Sequence, residues 1–316
     1  MFGICVEASH QRGMGHLFRM LNLCQGLSIR NLPFRIFINK NKAAQKILDQ
    51  HNFLFEVVPL ESQENDWQKI LISKYGIKLW IDDRLNTDIG HAEQVKSFGI
   101  PLVSFDDRGS GAGLVDLNVA ALCFDETEPF QGKKVLRGIR YLILNPEIAR
   151  YRHVRSKLNS IVVSMGGSDT YGVTIKVIKL LKLAGLTATV IVGPDFQHEK
   201  ELVEVLDSSF LLKCAVPSLI EEFSYHDLAI TGGGVTPFEA NAAGLPCFII
   251  ANEDFEIPVG LGIAELGGAV FAGHHSKIDA SKLNELMLIE KMSRLAIERF
   301  DLGGVTRIMN EIETLV

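Results

Sequence analysis

Short apolar runs alternate with amphipathic segments along the first half of the chain. The runs are too short for buried helices, and their continuous apolar character is typical of strands covered on both faces of a parallel sheet. Helical periodicity between them predicts helices around residues 42–50, 67–74 and 88–98. The predicted strands cover residues 2–6, 34–38, 55–58, 79–81 and 102–105. This alternation predicts right-handed βαβ units and a doubly wound sheet.

The same pattern starts again in the second half, after a polar boundary segment at residues 147–158. A strand at 160–164, a glycine loop and a helix at 174–183 come first, and further strands are predicted at 188–192, 228–230 and 247–250. The fold class predicted is α/β, with two Rossmann-like doubly wound domains at residues 1–148 and 149–316. Such domains are expected to face each other across a ligand cleft at the carboxyl ends of their strands. A closing amphipathic helix is predicted within residues 301–316.

Composition excludes several classes of protein. The chain has 316 residues, is 47% hydrophobic and carries a formal net charge of -6, so two cores are expected and a nucleic-acid-binding basic stripe is not. Its five cysteines lie far apart, which favours reduced thiols in a cytoplasmic protein over disulfides or a zinc site. There is no pattern of a signal peptide or of a membrane-spanning helix. A monomer is expected.

The segment Gly13-Met14-Gly15-His16 lies where a predicted strand passes through a glycine loop into a helix. This order is typical of a cradle for a nucleotide or sugar phosphate, but the spacing does not match the dinucleotide fingerprint. The positive end of the helix dipole favours a neutral imidazole, which makes His16 a candidate general base. The alternative is that His16 only caps the helix or packs against the loop.

A triple glycine at 232–234 leads into Val235, Thr236, Pro237 and Glu239 in the second half. Glycines allow the backbone to approach a phosphate closely. Glu239 has two interpretations: it completes a capping box with Thr236, or its carboxylate accepts hydrogen bonds from ribose hydroxyls. The polar loop containing Asn252 and Glu253 follows the next strand, where ligand groups are expected.

Two pairs of aspartates, Asp82-Asp83 and Asp106-Asp107, are placed near strand ends. They are expected to bind backbone amides of neighbouring loops rather than a divalent cation, so no metal is predicted. Arg84 and Arg108 either neutralise these pairs or recognise an acidic sugar or a phosphate. Arg19 either binds a phosphate or pairs with a strand-end carboxylate.

Taken in order, these motifs resemble the glycosyltransferase B fold over about residues 1–272, and in particular the UDP-sugar hydrolases of pseudaminic acid biosynthesis and their spore-coat polysaccharide relatives. The resemblance rests on the Gly13–Arg19 motif, on Met165-Gly166-Gly167 with Asp169, and on Gly232–Glu239 with Gly244 and Pro246. It implies that water attacks the anomeric carbon of a UDP-linked hexose without a metal, with His16 essential. It also implies that both glycine loops and Glu239 bind the nucleotide and that Asn252 lies in the active site.

The chain departs from that family at Arg84, Asn145 and Glu253, where the family has an aromatic residue, an arginine and a glutamine. These departures affect the expectation for the sugar rather than for the nucleotide. The catalytic residue predicted is His16. The residues predicted to contact the substrate are Gly13, Gly15, Arg19, Asp83, Arg84, Gly166, Gly167, Ser168, Gly233, Gly234, Val235, Thr236, Glu239, Asn252 and Glu253.

The predicted function is metal-independent hydrolysis of a UDP-linked acetamido- or deoxy-hexose in nonulosonic acid or surface polysaccharide biosynthesis, with no cofactor. One alternative is an inverting glycosyltransferase that uses the same base and phosphate cradle on an acceptor hydroxyl. The other is a sugar-nucleotide-binding protein without catalysis. The partner predicted in every case is a small nucleotide sugar, not a nucleic acid or a membrane.

Overall fold

The computed structural model describes two compact units of the chain. One unit comprises Met1–Leu144 together with Gly303–Val316, and the other comprises Asn145–Leu302. The described residues are 1–8, 15–60, 66–84, 86–124, 129–193 and 195–316.

The first unit is built on a parallel sheet with helices between its strands. The strand order is β3-β2-β1-β4-β5-β6-β7, so the direction of winding reverses between β1 and β4. The strands are β1 Phe2–Val6, β2 Phe34–Ile38, β3 Phe55–Val57, β4 Leu79–Asp83, β5 Leu102–Phe105, β6 Leu117–Ala120 and β7 Lys134–Arg137. The helices are α1 Gly15–Ile29, α2 Lys42–Gln50, α3 Trp67–Tyr75 and α4 Ile89–Lys96, with 3₁₀ turns at Ala112–Leu114 and Ile139–Tyr141.

The second unit repeats this architecture with a parallel sheet in the order β10-β9-β8-β11-β12-β13. Its winding reverses between β8 and β11. The strands are β8 Ile161–Ser164, β9 Ala188–Val192, β10 Phe210–Cys214, β11 Leu228–Thr231, β12 Cys247–Ala251 and β13 Ala269–His274. The helices are α5 Ile148–Tyr151, α6 Val173–Leu183, α7 Glu199–Val205, α8 Leu219–Phe223, α9 Thr236–Ala242, α10 Glu256–Glu265 and α11 Ile289–Arg299, with a 3₁₀ segment at Ala280–Leu288. The chain then returns to the first unit with helix α12 Gly304–Glu313.

The predicted α/β class and the two parallel sheets are confirmed. The central strands β1, β4, β8, β11 and β12 are buried along their whole length, which explains their continuous apolar runs. Strands β6, β7, β10 and β13 were not predicted from the sequence. The edge strands β7 and β10 expose several side chains, so their sequences lack the unbroken apolar character of central strands.

The expected division at residue 148 needs correction at the C-terminus. Helix α12 packs on α1 of the first unit, where Arg30 donates a hydrogen bond to Glu313 at 2.8 Å and the buried face includes Ile308 and Met309. The amphipathic pattern of this helix indicates that one face is covered. It does not indicate which unit covers it, because the pattern of a single helix carries no information about its packing partner.

Within the described ranges, no helix is long and apolar enough to cross a membrane. None of the five cysteines, all of which lie in the described ranges, forms a disulfide, and Cys214 is the exposed one.

Candidate functional site

The winding of the first sheet reverses at the position where ligands bind in open α/β folds, beyond the carboxyl ends of β1 and β4. His16 lies there in the first turn of α1, and Asp83 is the last residue of β4. The His16 Nδ1 is 2.6 Å from Asp83 Oδ1, and the histidine side chain is 13% exposed. A carboxylate on Nδ1 orients the imidazole and leaves Nε2 as the nitrogen that can accept a proton.

Arg19 completes this arrangement from one turn further along α1. Its Nε donates to Asp83 Oδ2 at 2.8 Å and its Nη2 to Asp83 Oδ1 at 2.5 Å, while Nη1 donates to Asp106 Oδ2 at 2.5 Å. Burial by itself would raise the pKa of the Asp83 carboxyl, but Arg19 and His16 outweigh it and hold the pKa at about 2. Asp83 is therefore a permanent anion beside the histidine.

Three of the residues predicted to contact the substrate have partners within the protein. Asp83 is completely buried and both of its oxygens accept hydrogen bonds from the protein, so the carboxylate orients His16 instead. Arg19 follows the alternative in which it pairs with strand-end carboxylates. Arg84 donates to the backbone carbonyl of Leu60 at 3.1 Å. Gly15 is the first residue of α1, and Gly13 lies outside the described residues.

Of the other aspartates, Asp107 binds backbone amides as expected, whereas Asp82 pairs with side chains. Asp82 faces away from Asp83, because successive residues of a strand point to opposite sides, and it lies 2.8 Å from His91 Nε2. Asp107 accepts backbone N–H groups of Thr87 and Gly109, each at 2.9 Å. Among the described residues, no three histidine, cysteine or carboxylate side chains come together as a metal site requires.

In the second unit, the loop after β8 presents glycine backbone at the corresponding reversal point. Gly166 and Gly167 are exposed, and a Cβ atom built on Gly167 would meet nothing within 4 Å. Asp169 holds the end of the loop, since its carboxylate accepts the N–H groups of Val173 at 2.7 Å and Thr174 at 2.8 Å. Ser168 Oγ lies 3.2 Å from the hydroxyl of Thr170. The open backbone at Gly166 and Gly167 can therefore receive a ligand.

The predicted capping box does not form at α9. Val235 is the N-cap residue, no side chain caps the helix, and Pro237 lies in the first turn. Thr236 is the first residue of the helix, so its hydroxyl is not in the N-cap position. Within the described part of the chain, the Glu239 carboxylate has no hydrogen-bond or ion-pair partner, and burial raises its pKa to about 7. A half-buried carboxylate without a partner is a candidate acceptor for ligand hydroxyls.

The loop between β12 and α10 contains Asn252 and Glu253, as predicted, and is joined to both glycine loops. Glu253 Oε1 accepts the hydroxyl of Tyr171 at 2.8 Å, so part of this carboxylate is occupied by the protein. The side-chain oxygen of Asn252 is buried and has no partner among the described residues. Glu256, which the sequence analysis did not select, accepts backbone N–H groups of Asn252 and Gly233. Only its position in a run of acidic residues marked it in the sequence.

No family model matches the chain. It is 25% identical to the spore coat polysaccharide biosynthesis protein SpsG of Bacillus subtilis, over 93% of this chain and 88% of that protein. It is 27% identical to the uncharacterized protein MJ1062 of Methanocaldococcus jannaschii over 80% of this chain. That match spans 56% of the methanogen protein, so the chain corresponds to a little over half of it.

Solved structures match nearly the whole chain. MurG of Acinetobacter baumannii has a TM-score of 0.73 and 15% identity, with 99% of both chains covered. HepE of Anabaena in complex with UDP has a TM-score of 0.69 and 15% identity, with both chains covered completely. The spinosyn rhamnosyltransferase SpnG has a TM-score of 0.63 and 14% identity, with 98% of this chain and 100% of that chain covered. This chain has the glycosyltransferase B fold. The likeness to SpsG adds a relative in polysaccharide biosynthesis, as the resemblance of the motifs implied.

Proposed function

We propose that the protein hydrolyses a UDP-linked acetamido- or deoxy-hexose to UDP and free sugar without a metal ion, in nonulosonic acid or surface polysaccharide biosynthesis. The observation that carries this proposal is the contact between His16 and the buried anion Asp83 at the reversal point of the first sheet. A histidine oriented by a carboxylate is suited to remove a proton from a nucleophile. A water molecule is the nucleophile in this reaction.

The proposed reaction is a single displacement at the anomeric carbon. Water oxygen forms a bond to that carbon while the bond to the diphosphate oxygen breaks, and the electron pair of the broken bond leaves with UDP. His16 Nε2 takes the proton from the attacking water, and Asp83 stabilises the imidazolium that forms. Backbone N–H groups of the glycine loops stabilise the charge that develops on the diphosphate.

The second unit supplies the proposed nucleotide contacts. Glu239 accepts hydrogen bonds from the ribose hydroxyls, in keeping with its unpartnered carboxylate. The backbone at Gly166, Gly167, Ser168, Gly233, Gly234, Val235 and Thr236 approaches the phosphates, and Asn252 with Glu253 contacts the sugar. HepE, which shares the fold, was solved with UDP bound, which supports a uridine nucleotide as ligand.

An inverting glycosyltransferase is the second candidate function. The neighbour SpnG is a rhamnosyltransferase, and His16 held by Asp83 can remove a proton from an acceptor hydroxyl as well as from water. The two reactions differ in the nucleophile alone.

Release of UDP from a panel of UDP-linked amino and deoxy sugars, with EDTA present and no acceptor, separates these functions. Rapid release with free sugar as the second product is the expected result. Tight binding of UDP without release would instead favour a transferase that awaits its acceptor, or a binding protein without catalysis.

The His16→Ala variant tests the proposed base. Loss of general-base catalysis should lower kcat by about a hundred- to ten-thousandfold, while the dissociation constant for UDP stays nearly unchanged. His51→Ala, which removes an exposed histidine of the same unit, is the matched control and should retain full activity. A His16→Ala protein with wild-type turnover would exclude the mechanism.

A further inference from the structure

Glu256 is a buried carboxylate that joins two loops at the carboxyl edge of the second sheet. It is the first residue of α10 and is 9% exposed. Its Oε2 accepts the backbone N–H of Asn252 at 2.7 Å and the backbone N–H of Gly233 at 3.2 Å. One oxygen atom therefore connects the loop after β12 to the loop after β11.

The two loops also pack closely against each other. A Cβ atom on Gly233 would lie 2.7 Å from the Cβ of Glu256, and one on Gly232 would lie 2.4 Å from Nδ2 of Asn252. Contacts this short leave no place for a side chain at either glycine. The relative position of the loops thus depends on the Glu256 carboxylate and on the absence of side chains beside it.

A second contact holds the β12–α10 loop from the other side. The Tyr171 hydroxyl donates to Glu253, and the Tyr171 ring stacks on His275 with 4.1 Å between ring centroids. The loop that contains Asn252 is consequently connected to both glycine loops, the one after β8 and the one after β11. Only the connection through Glu256 is buried, so water weakens it least.

The chain keeps an acid at position 256 at an energetic cost. The described partners of this carboxylate are backbone N–H groups and not a cation, and burial raises the pKa of Glu256 despite the hydrogen bonds from Asn252 and Gly233. Hydrogen bonds to an ionised acceptor are roughly twice as strong as those to a neutral one. The ionised carboxylate therefore forms a strong, fixed connection between the two loops.

We propose that Glu256 is a positioning residue of the nucleotide-sugar site, which holds the backbone of Gly233 and the backbone of Asn252 in the arrangement that binds ligand. It acts through these two residues and does not touch the ligand itself. This role rests on the function proposed above.

The test compares Glu256→Gln and Glu256→Ala with Asp227→Asn. Asp227 is a matched control, because its carboxylate also accepts two backbone N–H groups, those of Asn159 at 2.9 Å and Ser160 at 3.1 Å, but at the amino end of the same sheet. The dissociation constant for UDP is measured by calorimetry, KM and kcat with the sugar nucleotide that the panel identifies, and amide hydrogen exchange in the ligand-free proteins.

Glu256→Gln should weaken UDP binding by about tenfold and Glu256→Ala by up to about a hundredfold, since the first keeps a neutral acceptor and the second leaves two buried N–H groups unpaired. KM should rise with little change in kcat, because the His16–Asp83 pair lies in the other unit. Exchange should accelerate both at residues 231–236 and at residues 250–256. Asp227→Asn should leave UDP binding unchanged.

The outcomes distinguish the two proposals. If the wild-type protein binds no UDP, the proposed function is overturned and the role of Glu256 with it. If the wild-type protein binds UDP and Glu256→Gln binds equally tightly with unchanged exchange, only the role of Glu256 is overturned. Should Glu256→Ala fail to fold, the comparison of Glu256→Gln with Asp227→Asn still decides.

Discussion

Two carboxylates of the candidate site show how the partners of a residue set its chemistry. Asp83 is completely buried and Glu239 is half-buried, and the pKa of Asp83 is held at about 2 whereas that of Glu239 is raised to about 7. The difference arises because Arg19 and His16 compensate the buried charge of Asp83, whereas no described cation faces Glu239. Asp83 therefore serves as a fixed anion, and Glu239 changes its charge near neutral pH.

This contrast predicts a pH-dependent effect of Glu239→Gln on stability. Folding raises the pKa of Glu239 from 4.5 to about 7, so below about pH 4.5 the carboxyl is protonated in both states and does not oppose folding. As the pH rises towards 7, the unfolded chain ionises first and the free energy of unfolding falls. The variant should match the wild-type free energy of unfolding at pH 4.5 and exceed it by about 2 kcal/mol at pH 8. Urea unfolding at the two pH values measures the difference. Equal stabilities at pH 8 would contradict an uncompensated burial of Glu239.

At the scale of elements, the candidate site residues of each unit lie near the reversal point of its own sheet. In the first unit, helix α1 carries His16 and Arg19. In the second unit, the loop before α6 carries Gly166 and Gly167. Helix α12 has a different role, because it packs along α1, the helix that carries His16. The stability of that contact supports the position of the proposed base.

Gly304, at the start of α12, tests this contact. A Cβ atom at this position would lie 1.8 Å from the backbone carbonyl oxygen of Leu142, which cannot move aside as a flexible side chain would. Gly304→Ala should therefore lower the free energy of unfolding of the first unit by about 1–3 kcal/mol. Both tryptophans, Trp67 and Trp80, belong to that unit, so fluorescence during urea unfolding reports it selectively.

Gly113→Ala is the matched control in the same unit. Its Cβ would lie 3.3 Å from Oε1 of Gln131, the end of a flexible side chain, so the change should stay within about 0.5 kcal/mol. Equal stabilities of the two variants would show that α12 does not approach Leu142 as closely as described.

At the scale of the whole molecule, the two units differ in how the chain builds them. The second unit is one continuous segment, Asn145–Leu302, whereas the first needs Gly303–Val316 in addition to Met1–Leu144. Each has its own hydrophobic core, which the buried clusters around Trp80 and around Val163 represent. We therefore expect the second unit to fold by itself.

Expression of the two segments alone tests this organisation. Residues 145–302 should unfold cooperatively in urea, as followed by circular dichroism. Residues 1–144 should be much less stable, because the face of α1 that α12 covers would be exposed to water. Addition of residues 303–316 should restore a cooperative tryptophan fluorescence transition. Equal stability of 1–144 with and without this segment would refute a structural role for α12.

The sequence by itself determined the α/β class, the positions of most central strands and the two glycine loops, and it predicted His16 as the base. Burial on both faces leaves a local mark in a strand, and the conformational demands of a strand–loop–helix turn are local as well. The edge strands β7 and β10 escaped prediction because partial exposure weakens that mark.

Only the tertiary structure decided which groups meet. Asp83 lies 67 positions from His16, Asp106 lies 87 positions from Arg19, and Glu256 lies 23 positions from Gly233. Their contacts follow from the order of the strands in each sheet, and α12 likewise joins the first unit through a long-range contact. Strand order and helix docking arise from packing over the whole chain, which no local pattern of residues specifies.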